Sequence, residues 1–148
     1  MRALVLAVLL AACAPAPRET QENAPAMSQR IAAPTPQDVS VRITAAQAGQ
    51  RVDVTVNQRF AVEMVGVPTA GYVWRPATMP PFLTRAGEAG GPTIAEQNQP
   101  GYAGGNHWEV LMFVATAVGE GELVLEQVRP WEAGVAPVDT FRVTIVAR

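Results

Sequence analysis

From Val39 to the C-terminus the apolar residues of this chain recur at every second position. Val39, Val41 and Ile43 alternate with Ser40 and Arg42, Val52, Val54 and Val56 with Asp53 and Thr55, and Phe60, Val62 and Met64 with Ala61 and Glu63. A two-residue period fits only a β-strand, because successive side chains there point to opposite faces; it sets the apolar residues on one face and the others on the far one. Further strands are expected at 72–75, 109–116, 122–128 and 139–146, the last with Phe141, Val143 and Ile145 on one face. Gly49-Gln50, Asn57-Gln58 and Gly119-Glu120-Gly121 punctuate these runs as turns. No window beyond Gln37 carries an amphipathic helical period. About seven short strands over roughly 110 residues predict an all-β, antiparallel β-sandwich. A domain of this length can be held by its core alone. It has to be, because Cys13 is the only cysteine.

The region before the sandwich divides in two. Residues 1–12 read as a signal peptide: Arg2 gives a short basic start and Ala3 to Ala12 an apolar run, too short to span a bilayer as a helix. Leu10-Ala11-Ala12-Cys13 reads as a lipobox, which predicts cleavage before Cys13 and acylation of that residue. The expected product is a lipoprotein of the bacterial cell envelope, attached to the membrane through Cys13. Ala14 rather than Asp follows the cysteine, which favours the outer membrane, facing the periplasm. Residues 13–37 carry Pro15, Pro17, Pro25, Pro34 and Pro36 with no hydrophobic period and read as a tether. A flexible chain of that length spans roughly 25–30 Å. Residues 38–148 form the expected domain.

Composition excludes several functions. All eleven basic residues are arginines, scattered singly in a chain of net charge −2, so no basic patch exists to hold nucleic acid. The domain has one histidine, His107, and one serine, Ser40, which lies mid-strand without the glycines of a nucleophile elbow. His107 has no second His or carboxylate at ligand-like spacing, so neither a metal nor any other cofactor is expected. This inventory argues against an enzyme and leaves binding.

Three segments between the strands have the chemistry of binding loops. In Val67-Pro68-Thr69-Ala70-Gly71-Tyr72, Pro68 fixes its own φ and extends Val67, while Gly71 permits a positive φ that turns the chain back. Tyr102-Ala103-Gly104-Gly105 allows close approach of a partner's backbone and offers one large side chain. Arg129-Pro130-Trp131 combines a planar cation, a φ lock and the residue type richest in interface hot spots. In this order and spacing the three segments resemble the loops of the chagasin-type inhibitors of papain-like cysteine proteases. The Arg-Pro-Trp match is complete, and the first loop departs from the family at Val67, where Asn is usual, and at Ala70, where a second Thr is usual.

That resemblance, covering roughly residues 38–148, implies an immunoglobulin-like sandwich with the three loops side by side at one end. It implies a monomer that inhibits by wedging into the protease cleft, with no bond made or broken. Thr69 and its neighbours Pro68, Ala70, Gly71 and Tyr72 would cover the catalytic cysteine. Tyr102 to Gly105 would line the non-primed wall, and Arg129, Pro130 and Trp131 the primed wall. The residues alone leave open an envelope lipoprotein that presents the same loops to another protein or a glycan.

Overall fold

The computed structural model describes residues 28–148; Cys13, the signal peptide and the first part of the tether lie outside the described residues. The strands are β1 (Val39–Thr44), β2 (Arg51–Val54), β3 (Arg59–Gly66), β4 (Val73–Thr78), β5 (Leu83–Pro92), β6 (His107–Ala115), β7 (Gly119–Val128) and β8 (Asp139–Ala147). They form two four-stranded sheets, ordered β1-β3-β6-β5 and β2-β8-β7-β4. The all-β sandwich expected from the alternation is present, with two differences. Among the described residues there are eight strands where about seven were expected, and the sandwich is not wholly antiparallel, because β1 pairs with β3 and β2 with β8 in parallel.

The inward faces meet in one core. Ile43, Phe60, Val62, Phe113, Leu123, Leu125, Val143 and Ile145 are all fully buried, and each comes from an apolar position of a predicted strand. Phe60 and Phe113 are register partners whose rings stack with centroids 5.6 Å apart. Burying one such side chain contributes about 1.5–3 kcal/mol. The β2–β3 connection turns at Asn57, whose φ of 63° lies in the left-handed region that Asn tolerates.

The outward face of the first sheet differs from expectation. Ala61 and Glu63 should be solvated, yet both are buried, as are Val110 and Met112 beside them. Part of the cover comes from residues 29–37, which the sequence assigns to the tether, with Val39 of β1 and Ala86 and Ala89 of β5 packing beside it. Gln29 O accepts from Ala95 N (2.9 Å), Ile31 N donates to Thr93 O (2.9 Å), and Trp108 Nε1 donates to Ile31 O (2.8 Å). Ala33 then packs on the Ala61–Val110–Met112 patch, and the Thr35 hydroxyl donates to the Glu63 carboxylate, which also faces Arg42 Nε at 3.7 Å. This stretch is a strap on the domain. The patch it covers supplies the physical reason, since an apolar second face must be shielded from water.

Candidate functional site: three loops at one end of the sandwich

Register places all three loops at the same end. Gly66, the last residue of β3, pairs with His107, the first of β6, and His107 also pairs with Pro92, the last of β5. In the other sheet Val73, the first residue of β4, pairs with Val128, the last of β7. Segments 67–72, 93–106 and 129–138 therefore all leave from this end.

The first loop is a 3-10 turn, Pro68–Ala70, closed by Ala70 N to Val67 O (2.9 Å) and Gly71 N to Pro68 O (2.9 Å). Val67 makes no side-chain capping bond, so the main chain alone closes the turn that an Asn would have supported. Gly71 has φ 83° and returns the chain to Tyr72, whose N–H donates to Val67 O (3.2 Å). Pro68, Thr69 and Ala70 are exposed.

Arg129-Pro130-Trp131-Glu132 is also a tight turn, with Glu132 N donating to Arg129 O (3.0 Å). Pro130 takes the second position, where its fixed φ is favoured, and Trp131 the third. Trp131 is 69% exposed, and its indole lies against Gly71, where a Cβ would stand 2.1 Å from Trp131 Cη2. Arg129 also reaches the first loop. Its Nε donates to Ala70 O (2.9 Å), its guanidinium carbon sits 4.3 Å from the Tyr72 ring centroid, and Nη1 pairs with Glu132 at 3.0 Å. Arg129 thus fastens the first loop to the third and spends its bonds inside the protein.

A groove of about 770 Å³ opens beside these two turns, lined by Pro68, Trp74, His107, Trp108, Glu109 and Pro130 and, from β5, by Glu88, Gly90 and Gly91; Tyr102, Ala103, Gly104 and Gly105 do not line it. Tyr102 is 44% exposed, and Ala103 and Gly105 are exposed beside it. His107 Nδ1 lies 3.3 Å from Gly105 O, within its own connection.

Two residues of this end escaped the sequence reading. Glu109 Oε2 accepts from Trp74 N (2.8 Å) and Trp74 Nε1 donates to Val65 O (2.9 Å), which ties the two sheets together beneath the loops. Burial raises the Glu109 carboxyl above its ordinary value, the Trp74 N–H opposes this, and Glu88 adds to it. The other is Gln97, treated below. An acid two residues into a strand and a glutamine in a loop carry no sequence signal of these roles.

Hydrogen-bonded loops on a β-sandwich, with an exposed aromatic at the tip, present a surface suited to binding another molecule. The model of the Chagasin family peptidase inhibitor I42 matches residues 53–145, and the chain belongs to that family. Two solved structures share the fold. The cysteine protease inhibitor EhICP2 from Entamoeba histolytica is 19% identical with a TM-score of 0.61, over 73% of this chain and 96% of that one. Amebosin is 22% identical with a TM-score of 0.58, over 73% of this chain and 97% of that one. No curated protein matches the sequence.

Proposed function

We propose that this protein is a reversible, non-covalent inhibitor of papain-like cysteine proteases that fills the active-site cleft with the loops around Thr69, Tyr102 and Trp131. Membership of the peptidase-inhibitor family supports the class of activity. The observation that carries the mechanism is the pairing of Trp131 with Gly71: a large indole stays 69% exposed yet is held against a neighbouring loop. An aromatic ordered before contact loses little entropy on docking, and burying it in a cleft provides the binding energy. Thr69 lies on the exposed turn that Trp131 flanks, so a wedge entering the cleft would carry both. The test is steady-state inhibition of papain and of a cathepsin L-like enzyme, with and without a covalent peptidyl reagent occupying the cleft. The reading requires inhibition of the free enzymes and loss of binding to the filled ones. A folded protein that inhibits neither would favour a partner other than a protease.

We also infer that the inhibitor is a lipoprotein of the bacterial envelope, anchored through Cys13 to the outer membrane and facing the periplasm. The support is the Leu10-Ala11-Ala12-Cys13 sequence after a short apolar run. Replacing Cys13 by Ser should move the protein from the membrane to the soluble fraction; a Cys13→Ser protein that stays membrane-bound would contradict it.

A further inference from the structure

A glycine-rich loop that binds a partner has to be ordered at some stage, and the geometry around Tyr102–Gly105 shows how. Gln97, on the 3-10 turn Ala95–Asn98, uses both ends of its amide. Oε1 accepts from Thr93 N (2.7 Å) and Ile94 N (3.1 Å), and Nε2 donates to Asn106 O (2.8 Å). The Thr93 hydroxyl lies 3.1 Å from the same Asn106 carbonyl. Two N–H groups on one side and a carbonyl on the other fix the amide's orientation, and only a neutral side chain with both an acceptor and a donor satisfies them. These bonds join the start of the connection to its end, so 98–105 becomes a closed loop.

The rest of the loop leans on that amide. A Cβ at Gly105 would stand 2.9 Å from Gln97 Nε2 and 3.3 Å from the Tyr102 hydroxyl, at a φ of 90°. Glycine there lets the amide and the phenol approach the same backbone, which holds Tyr102 in its half-exposed place. From the other side the strap fixes the turn that carries Gln97, through the Gln29–Ala95 and Ile31–Thr93 bonds, and Trp108 Nε1 holds the strap at Ile31.

We propose that Gln97, braced by strap residues 29–31, is a positioning residue that sets the glycine-rich loop for docking without itself touching the partner. This rests on the reading of Tyr102–Gly105 as a docking loop. With the clamp in place the entropy of ordering several glycines is already spent in the free protein.

The experiment compares the wild-type protein with Gln97→Met, Gln97→Glu and Trp108→Phe by amide hydrogen exchange, thermal unfolding and papain inhibition. Gln97→Met removes all of the amide's hydrogen bonds and should speed exchange of the amides of residues 99–107 at least about tenfold and weaken inhibition at least about tenfold, since one hydrogen bond alone is worth up to about that much. The core strands should keep their protection. Trp108→Phe should give a weaker change of the same kind. Gln97→Glu sets a carboxylate against Asn106 O at neutral pH, and regains a donor when protonated. Its loop exchange, corrected for intrinsic rates, should therefore return towards wild type as pH falls through the ordinary glutamate range. Unchanged loop exchange in Gln97→Met, or faster exchange spread evenly over the sandwich with a matching fall in melting temperature, would overturn the proposal. If the wild-type protein failed to inhibit papain, the protease reading would fall, while the exchange results would still decide for or against the clamp.

Discussion

Trp131 covers Gly71: the edge of the indole occupies the space that any side chain at position 71 would need, with a Cβ there only 2.1 Å from Cη2. The apex of the Arg-Pro-Trp turn and the hinge of the Pro-Thr turn thus depend on one another. Gly71→Ala would face this clash and a φ of 83°. It should cost about 1–2 kcal/mol from the left-handed backbone alone. It should also displace the indole, raising the inhibition constant by more than the stability change explains. Chemical denaturation and inhibition measured on the same variant check both.

Arg129 is expected to act through the first loop. Arg129→Lys keeps the charge but loses the planar stack on Tyr72 and the Nε bond to Ala70 O. Lysine should therefore fail to rescue. Both Arg129→Lys and Arg129→Ala should weaken inhibition by about 1–2 kcal/mol, chiefly as faster dissociation. Surface plasmon resonance separates the rates; wild-type kinetics in Arg129→Lys would show that charge alone matters.

Much of this architecture is legible in the sequence because a core writes itself as alternation. β1, β3 and β8 show their inward residues at period two, and the glycines and prolines of the loops announce turns. β5 does not, since Leu83 is its only buried side chain and Gly87, Gly90, Gly91 and Pro92 obscure any period. It is an edge strand held by backbone pairing with β6. The parallel pairs were equally silent, because alternation specifies which face a residue occupies and not which strand lies beside it. The strap had a signal of a different kind. The unbroken apolar run Val110–Ala115 in β6 implies burial on both faces, and Ala61 in β3 agrees, but nothing in the Pro- and Ala-rich segment 29–37 says that it supplies the cover. At the loops, residue types indicated stiffness and a large aromatic. They could not indicate that Arg129 bonds to the first loop of its own domain.

The strap makes its own prediction. Thr35 is the hydroxyl partner of the buried Glu63. Thr35→Val keeps the shape and removes the donor, leaving a buried carboxylate short of one bond, and should destabilise the domain by about 1–3 kcal/mol. A urea midpoint equal to that of the wild type would mean that the strap does not contribute to folding.

Glu109 predicts a pH dependence. Its carboxyl is raised in the folded protein, chiefly by burial, so folding favours the protonated form. The unfolded chain releases this proton first as pH rises, and between the ordinary and the raised value the folded state binds more protons. Stability should therefore fall through that window, and the cost should be fully present above it. Glu109→Gln keeps an acceptor for Trp74 N and cannot ionise, so its stability relative to wild type should grow as pH rises through the mildly acidic range. A difference that is constant across that range would contradict this account of Glu109.

The central claim is that the exposed indole of Trp131 is an anchor for a protease cleft and not a cover for the sandwich. The most direct measurement is the papain inhibition constant of Trp131→Ala beside its melting temperature. Removing a hot-spot aromatic should cost roughly 2–4 kcal/mol of binding, about 30-fold to nearly 1000-fold in the constant, with the melting temperature little changed. An unchanged inhibition constant, or a loss of inhibition fully accounted for by unfolding, would contradict it.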